Sequence, residues 1–194
     1  MGLSIHYRGS FNAAASLQAM IEEVKDIAEI YKWEYTIYKD KFPVNSLGKS
    51  AYNKNIYGIN FTPPNCETIC LCFLSNGKMS SSLHLKFYGN TRNKVEAGYL
   101  YMLSVKTQYA GIETHKLIIN LLKYLSEKYL NDFTVNDEGK YWETGDEKLL
   151  KDTFKSYTDL IENFTSSIEN FPCKPGESFE AYFKRLLKQI HEKK

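Results

Sequence analysis

The chain has 194 residues, 43% of them hydrophobic and 25% charged, with 25 Lys and Arg against 23 Asp and Glu. That apolar fraction excludes a fully disordered chain, and the length suits one domain or one domain with a helical extension. No run of about 18 apolar residues is available for a membrane span, and residues 1–30 lack the basic start and unbroken apolar block of a secretory leader, so a cytoplasmic protein is expected. Residues 1–109 carry 12 basic and 8 acidic side chains, and residues 110–194 carry 13 and 15. So mild an asymmetry argues against a nucleic-acid partner, which selects a clustered basic surface.

Along the chain, residues 3–7 alternate Leu3, Ile5 and Tyr7 against Ser4 and His6, the period-two pattern of a strand with one buried face. Residues 14–32 then place Leu17, Met20, Ile21, Val24, Ile27, Ala28 and Tyr31 at steps of three and four, one apolar stripe of a helix. Residues 33–38 return to alternation. Residues 39–55 read as a polar loop with Pro43 and Gly48, long enough to be functional or mobile. Strands are expected at 56–61 and 68–74. The run 69–74 is apolar on both faces, as in a central strand covered on both sides. Asn76-Gly77 marks a hairpin turn. Residues 83–88 and 99–107 alternate and read as two more strands, joined by a polar connection at 89–98. With only the first crossover helical, the pairing should be mostly antiparallel.

A helix is expected over 113–130, a short edge strand at 133–135 and a turn at 137–139. Thr144-x-x-Glu147 reads as a capping box that opens a long helix. Leu150, Phe154, Tyr157, Ile161, Phe164 and Ile168 make a near-heptad seam along it. Pro172, Pro175 and Gly176 stop it, and residues 178–192 form a last amphipathic helix through Phe179, Tyr182, Phe183, Leu186, Leu187 and Ile190. The expected fold is therefore α+β: a mainly antiparallel sheet of about five to six strands with helices packed on one face over residues 1–145. A C-terminal helical hairpin over 146–194 packs on it or extends from it.

Chemistry-bearing residues fall into two stretches. Residues 137–147 carry five carboxylates, Asp137, Glu138, Glu143, Asp146 and Glu147, beside Trp142; carboxylates ligate cations or act as an acid and base pair, and they also cap helices. Residues 106–111 run from a strand end to a helix start, where free backbone N–H groups bind anions, and Lys106 and His115 add positive charge. Lys106, Gln108, Tyr109, His115, Asp137, Glu138, Trp142 and Glu143 are thus the candidate ligand-binding residues. No catalytic set is complete, because the chain has neither a Gly-x-Ser-x-Gly nor a phosphate-loop spacing. No cofactor and no metal is expected. His6 and His84 fall on the polar phase of their expected strands and meet only if those strands are neighbours. Cys66, Cys70 and Cys72 have the spacing C-x3-C-x-C, which lacks the zinc knuckle, and with Cys173 they read as free thiols of a reducing compartment. The 15 tyrosines suit packing and contact surfaces.

The segments VKTQYAG at 105–111 with His115, DEG at 137–139 and YWETGD at 141–146 resemble, in that order, a family of uncharacterised bacterial proteins with no known activity. The likeness covers roughly residues 1–155 and implies a recurring domain without assigning a role to any residue. The expected function is a non-enzymatic interaction module of adaptor or immunity type. Its partner is another protein or, through the 150–168 seam, a second copy, with no nucleic acid and no membrane. The alternative is a small-ligand-binding domain or enzyme whose pocket lies between the 106–115 turn and the 137–147 loop, which requires those two stretches to converge.

Overall fold

In a computed structural model, which describes residues 2–192, the opening alternation becomes β1 (Ser4–Phe11). It buries Ile5, Tyr7 and Phe11 and turns His6 and Arg8 outward. The Ser16 hydroxyl accepts the Ala19 N–H at 3.2 Å and starts α1 (Leu17–Ile30), satisfying a donor the helix itself cannot. There follow β2 (Glu34–Ile37), β3 (Tyr57–Thr62), β4 (Ile69–Phe73), α2 (Ser82–Tyr88), α3 (Lys94–Tyr99), β5 (Leu103–Lys106), α4 (Ile112–Tyr129), β6 (Leu130–Asp137), α5 (Tyr141–Thr144), α6 (Glu147–Asn170) and α7 (Phe179–Glu192). Helix and strand are mixed, as expected of an α+β chain.

The single sheet of five to six strands is not formed. Two antiparallel three-stranded sheets take its place, ordered β5-β1-β6 and β2-β3-β4. The cause lies on one edge of β1. Residues 4–7 of that edge pair with β5, and the stretch beyond meets the return arm of the Asn76-Gly77 turn. Phe11 N–H donates to Gly77 C=O at 2.7 Å and Met79 N–H to Gly9 C=O at 2.9 Å. The other side of the arm meets β4, with Leu74 N–H to Lys78 C=O at 2.9 Å and Ser80 N–H to Cys72 C=O at 3.0 Å. The hairpin is made, but its arm is too short for a strand and only stitches the two sheets. A second stitch is the Tyr7 hydroxyl, which accepts from Cys70 N–H at 2.9 Å and donates to Cys70 C=O at 3.2 Å.

Two expected strands are corrected. Residues 83–88 are helix α2, and strand structure in 99–107 is confined to β5, with α3 before it. The alternation that suggested strands also places Leu83 with Phe87 and His84 with Tyr88, one helical turn apart. Serine and asparagine caps decide the matter: Ser81 accepts the His84 N–H at 3.1 Å, and Asn93 accepts the Val95 N–H at 2.9 Å. β4 is an edge strand rather than the centre of its sheet, yet both its faces are covered. Ile69, Leu71 and Phe73 enter the main core with α1 and α4. Cys72 and Leu74 enter a second cluster with Ile56 and Leu100, against which Leu85 and Tyr88 of α2 pack. Helices therefore lie on both faces of this sheet, not on one.

Helix α6 is capped by Asp146, whose carboxylate accepts the Lys148 and Leu149 N–H groups at 2.8 and 3.0 Å; Thr144 turns back to the Lys140 carbonyl at 2.6 Å. Leu150 and Phe154 are buried with Leu3 in a third cluster. Farther along the same seam, Phe164 meets Phe183 of α7 with ring centroids 6.4 Å apart. Arg185 fixes the intervening turn by donating to the Glu177 carboxylate at 2.8 and 2.9 Å and to the Pro172 carbonyl at 3.0 Å. That pairing and the Lys174 N–H draw the Glu177 carboxyl down to about 2. The side chain of Ile190 lies outside the described residues.

Candidate functional site

The 106–115 and 137–147 stretches do converge. Thr107, His115 and Asp137 have no exposed surface and form one hydrogen-bonded chain. The Thr107 hydroxyl lies 2.7 Å from His115 Nδ1, and His115 Nε2 lies 3.1 and 3.3 Å from the two Asp137 oxygens. Since a carboxylate only accepts, Nε2 is the donor. Asp137 also accepts from Gly139 N–H at 2.7 Å, Tyr141 N–H at 2.8 Å and Trp142 N–H at 3.0 Å. Burial alone pushes its carboxyl up, but His115 and these N–H groups outweigh it and hold it below the ordinary carboxylate range.

Threonine, histidine and aspartate in series have the composition of an acid–base relay, but the geometry seals them. The edge of Phe154 closes on the imidazole, with ring centroids 5.5 Å apart. Gly139 sits so close that a Cβ there would stand 2.7 Å from Leu150 Cδ1 and 2.9 Å from His115 Nε2. A substrate atom has no path to the imidazole, and what the trio does is hold elements together. Around it, the Gln108 carboxamide accepts Leu3 N–H at 3.2 Å and donates to Thr158 at 3.1 Å, and Glu138 accepts Ser4 N–H at 2.7 Å. Thr107 N–H meets Leu3 C=O at 3.0 Å and Glu138 N–H meets Ser4 C=O at 3.1 Å. The backbone entering β1 is thus clamped between β5, β6 and α6.

Of the eight candidate residues, Gln108, His115, Asp137 and Glu138 assemble in this joint. Trp142 packs at its margin, edge-on to Phe133 at 5.9 Å and beneath the Lys123 ammonium at 5.5 Å. Lys106 contributes its backbone N–H to Glu67 at 2.8 Å, while Tyr109, 65% exposed, and Glu143 face solvent. His84 lies on α2 rather than on a strand beside His6. Among the described residues no group of three or more His, Cys, Asp or Glu is arranged to hold a metal ion, and no helix is long and apolar enough to cross a membrane. All four cysteines are free. Burial pushes the Cys66 and Cys70 thiols up to about 11 and raises that of Cys72 well above the ordinary thiol range, so these three are poor nucleophiles at neutral pH.

The surface that the sequence left unnamed lies between Ser80 and Leu100. The Ser80 hydroxyl donates to the Leu100 carbonyl at 2.8 Å, so residues 81–99 are an excursion whose ends meet. Its helices lean on each other through Tyr88 and Tyr99, with ring centroids 5.5 Å apart. Inward, Leu85 and Tyr88 pack on the second cluster. Outward, Leu83, Phe87, Val95 and Tyr99 stand 59%, 63%, 70% and 43% exposed. Met102, 56% exposed just beyond, also lines a groove of about 570 Å³ on the helix-free face of β5-β1-β6, with His6 and Arg8. The Asn93-x-x-Glu96 pattern, with Thr91 and Asn93 donating to the Glu96 carboxylate at 2.7 and 3.2 Å, is the local signal that identifies α3. No family model, curated protein or solved structure matches the chain.

Proposed function

We propose that the chain is a non-enzymatic interaction module of the cytoplasm that binds another protein through the outward side of α2 and α3. One observation carries this reading: a side trip in the chain, unnecessary for connecting Ser80 to Leu100, presents four large apolar side chains to water within 17 residues. Isolated exposed apolar residues are ordinary, whereas a local concentration of them marks a contact surface. The polar groups of the 106–115 and 137–147 stretches support the same reading from the other side, since those that gather are consumed in each other's hydrogen bonds. In this view the TQYAG, DEG and YWETGD segments mark a structural joint of a recurring bacterial domain. Adaptor and immunity roles both fit a module of this kind.

A photoreactive benzophenone residue in place of Phe87 tests it in the producing cell, with the same residue in place of Tyr124, exposed on α4, as control. The expected result is a discrete cross-linked species from position 87 that position 124 does not give and that Val95→Ser diminishes. An adduct of twice the chain mass would make a second copy the partner. Identical patterns from both positions, or no adduct, would overturn the assignment of the surface.

A further inference from the structure

The stretch of chain that leads into this face has a sign. From Lys41 to Val95 the chain carries seven basic side chains and a single acidic one, Glu67, although the whole chain is only +2. All seven are exposed, and among the described residues none of them stands in an ion pair. Glu67 is turned away to the Lys106 N–H on β5. The carboxylates that bound the run are Asp40 and Glu96, and Glu96 is occupied by Thr91 and Asn93. Two of the seven, Lys54 and Lys86, come together where the 39–55 loop meets α2. The Tyr52 hydroxyl donates to the Gly89 carbonyl at 3.0 Å and holds the loop beside the helix. Between them runs a groove of about 520 Å³ with Tyr52, Ile56 and Leu85 as its apolar lining and Lys54 and Lys86 as its charged lining, without a carboxylate. Arg92 and Lys94 follow its far end in sequence.

We infer that this groove receives an acidic, apolar-anchored segment of a protein partner, an inference that rests on the interaction reading above and adds the partner's chemistry. A recessed apolar floor takes a side chain, and the flanking ammonium groups take carboxylates on either side of it. Unpaired rim lysines steer such a segment and reject basic competitors. A membrane surface presents no side chain to fill a groove. A nucleic acid calls for open aromatic platforms on which bases stack, whereas Tyr52 is half-buried and held by Gly89.

The test uses the full chain and fluorescein-labelled peptides of about 15 residues, long enough when extended to place one side chain in the groove and acids on both sides of it. In one peptide Asp and Glu alternate with Leu and Phe, and in its twin Asn and Gln replace the acids. Anisotropy is read at low salt and at about 0.15 M, where the Debye length is short. The acidic peptide is expected to bind about tenfold tighter than its twin, with the gap narrowing as salt rises. Lys54→Glu with Lys86→Glu should weaken it about tenfold at unchanged melting temperature, and Lys54→Gln with Lys86→Gln should weaken it less. Phe87 is not part of the groove lining but adjoins it beside Lys86 on the outward side of α2; Phe87→Ser should weaken both peptides alike where they run on over that side. If the lysine variants bind the acidic peptide as the parent does while Phe87→Ser weakens both, the acidic chemistry is wrong and the interaction reading survives. If no variant matters, or neither peptide binds, both fall. Tighter binding of a single-stranded oligonucleotide, or of vesicles containing phosphatidylserine, would overturn a protein occupant.

Discussion

Replacing Asp137 by Asn keeps the shape of the side chain and removes its charge, which isolates what the buried carboxylate does. In the parent chain its oxygens accept three backbone N–H groups and face His115 Nε2. An amide offers one acceptor atom, so at least one of these buried donors faces another donor. A buried group left unsatisfied costs about 1–3 kcal/mol. A loss of about 1–3 kcal/mol is expected, a sizeable share of the roughly 5–15 kcal/mol that stabilises a domain. Urea unfolding followed by tryptophan fluorescence should show a lower midpoint at an unchanged slope. The pH dependence carries the sign. A carboxyl held low in the folded state contributes fully above its unfolded value of about 3.9. That contribution is lost as pH falls through the lower folded value. The gap between parent and Asp137→Asn should therefore be full near neutrality and shrink below about pH 4. A variant within about 0.5 kcal/mol of the parent at pH 7, the range of an ordinary surface change, would refute the joint as the source of stability.

The other predictions probe the joint and the stitches between sheets. Gly139→Ala should destabilise by about 1–3 kcal/mol, the range for overpacking, because Leu150 and His115 must move; hydrogen exchange at Ser4 and Trp142 should quicken, and unchanged exchange there would contradict the close fit. Tyr7→Phe removes the hydroxyl that serves both backbone groups of Cys70 and should cost about 1–2 kcal/mol in denaturant titration, with nuclear magnetic resonance shifts concentrated in β1 and β4. Iodoacetamide at pH 8 should modify the exposed Cys173 first and leave Cys72 unmodified until the chain unfolds; prompt modification of Cys72 would contradict its burial.

Signals that act over one turn or one strand were legible. The stripe of α1, the helix expected over 113–130 that becomes α4, the alternation of β1 and the Asn76-Gly77 turn all appear where the local pattern puts them. Leu83, Leu85 and Phe87 were misleading because a short alternating run also satisfies one helical turn; only Ser81, two residues before Leu83, distinguishes the two. The sheet count was not readable, because it depends on β5 and the 77–79 arm sharing one edge of β1, a competition between segments far apart in the chain. His115 and Asp137 were nominated for their chemistry, and their meeting was a condition of the pocket. What no local pattern could show is that Gly139, Leu150 and Phe154 would fill the space around them. The basic run was in plain view but diluted: counted by halves it is +4, and counted from Lys41 to Val95 it is +6.

The two unusual regions are opposite departures from the same rule. Polar side chains normally face water and apolar ones the core. At the joint a histidine, an aspartate, a threonine and a glutamine are buried at 8% exposure or less. On α2 and α3, Leu83, Phe87 and Val95 are left in water. The first departure is balanced internally, because its short hydrogen bonds clamp Leu3 and Ser4 and so fix where β1 begins. The second has no balance within the chain. Packing on the second cluster accounts for Leu85 and Tyr88 but not for their outward neighbours, since a polar residue at position 83 or 87 would leave Cys72 and Leu74 equally covered. In the proposed reading these outward side chains meet a surface outside the chain, and the lysines of the adjoining groove, in no ion pair among the described residues, would favour an acidic one.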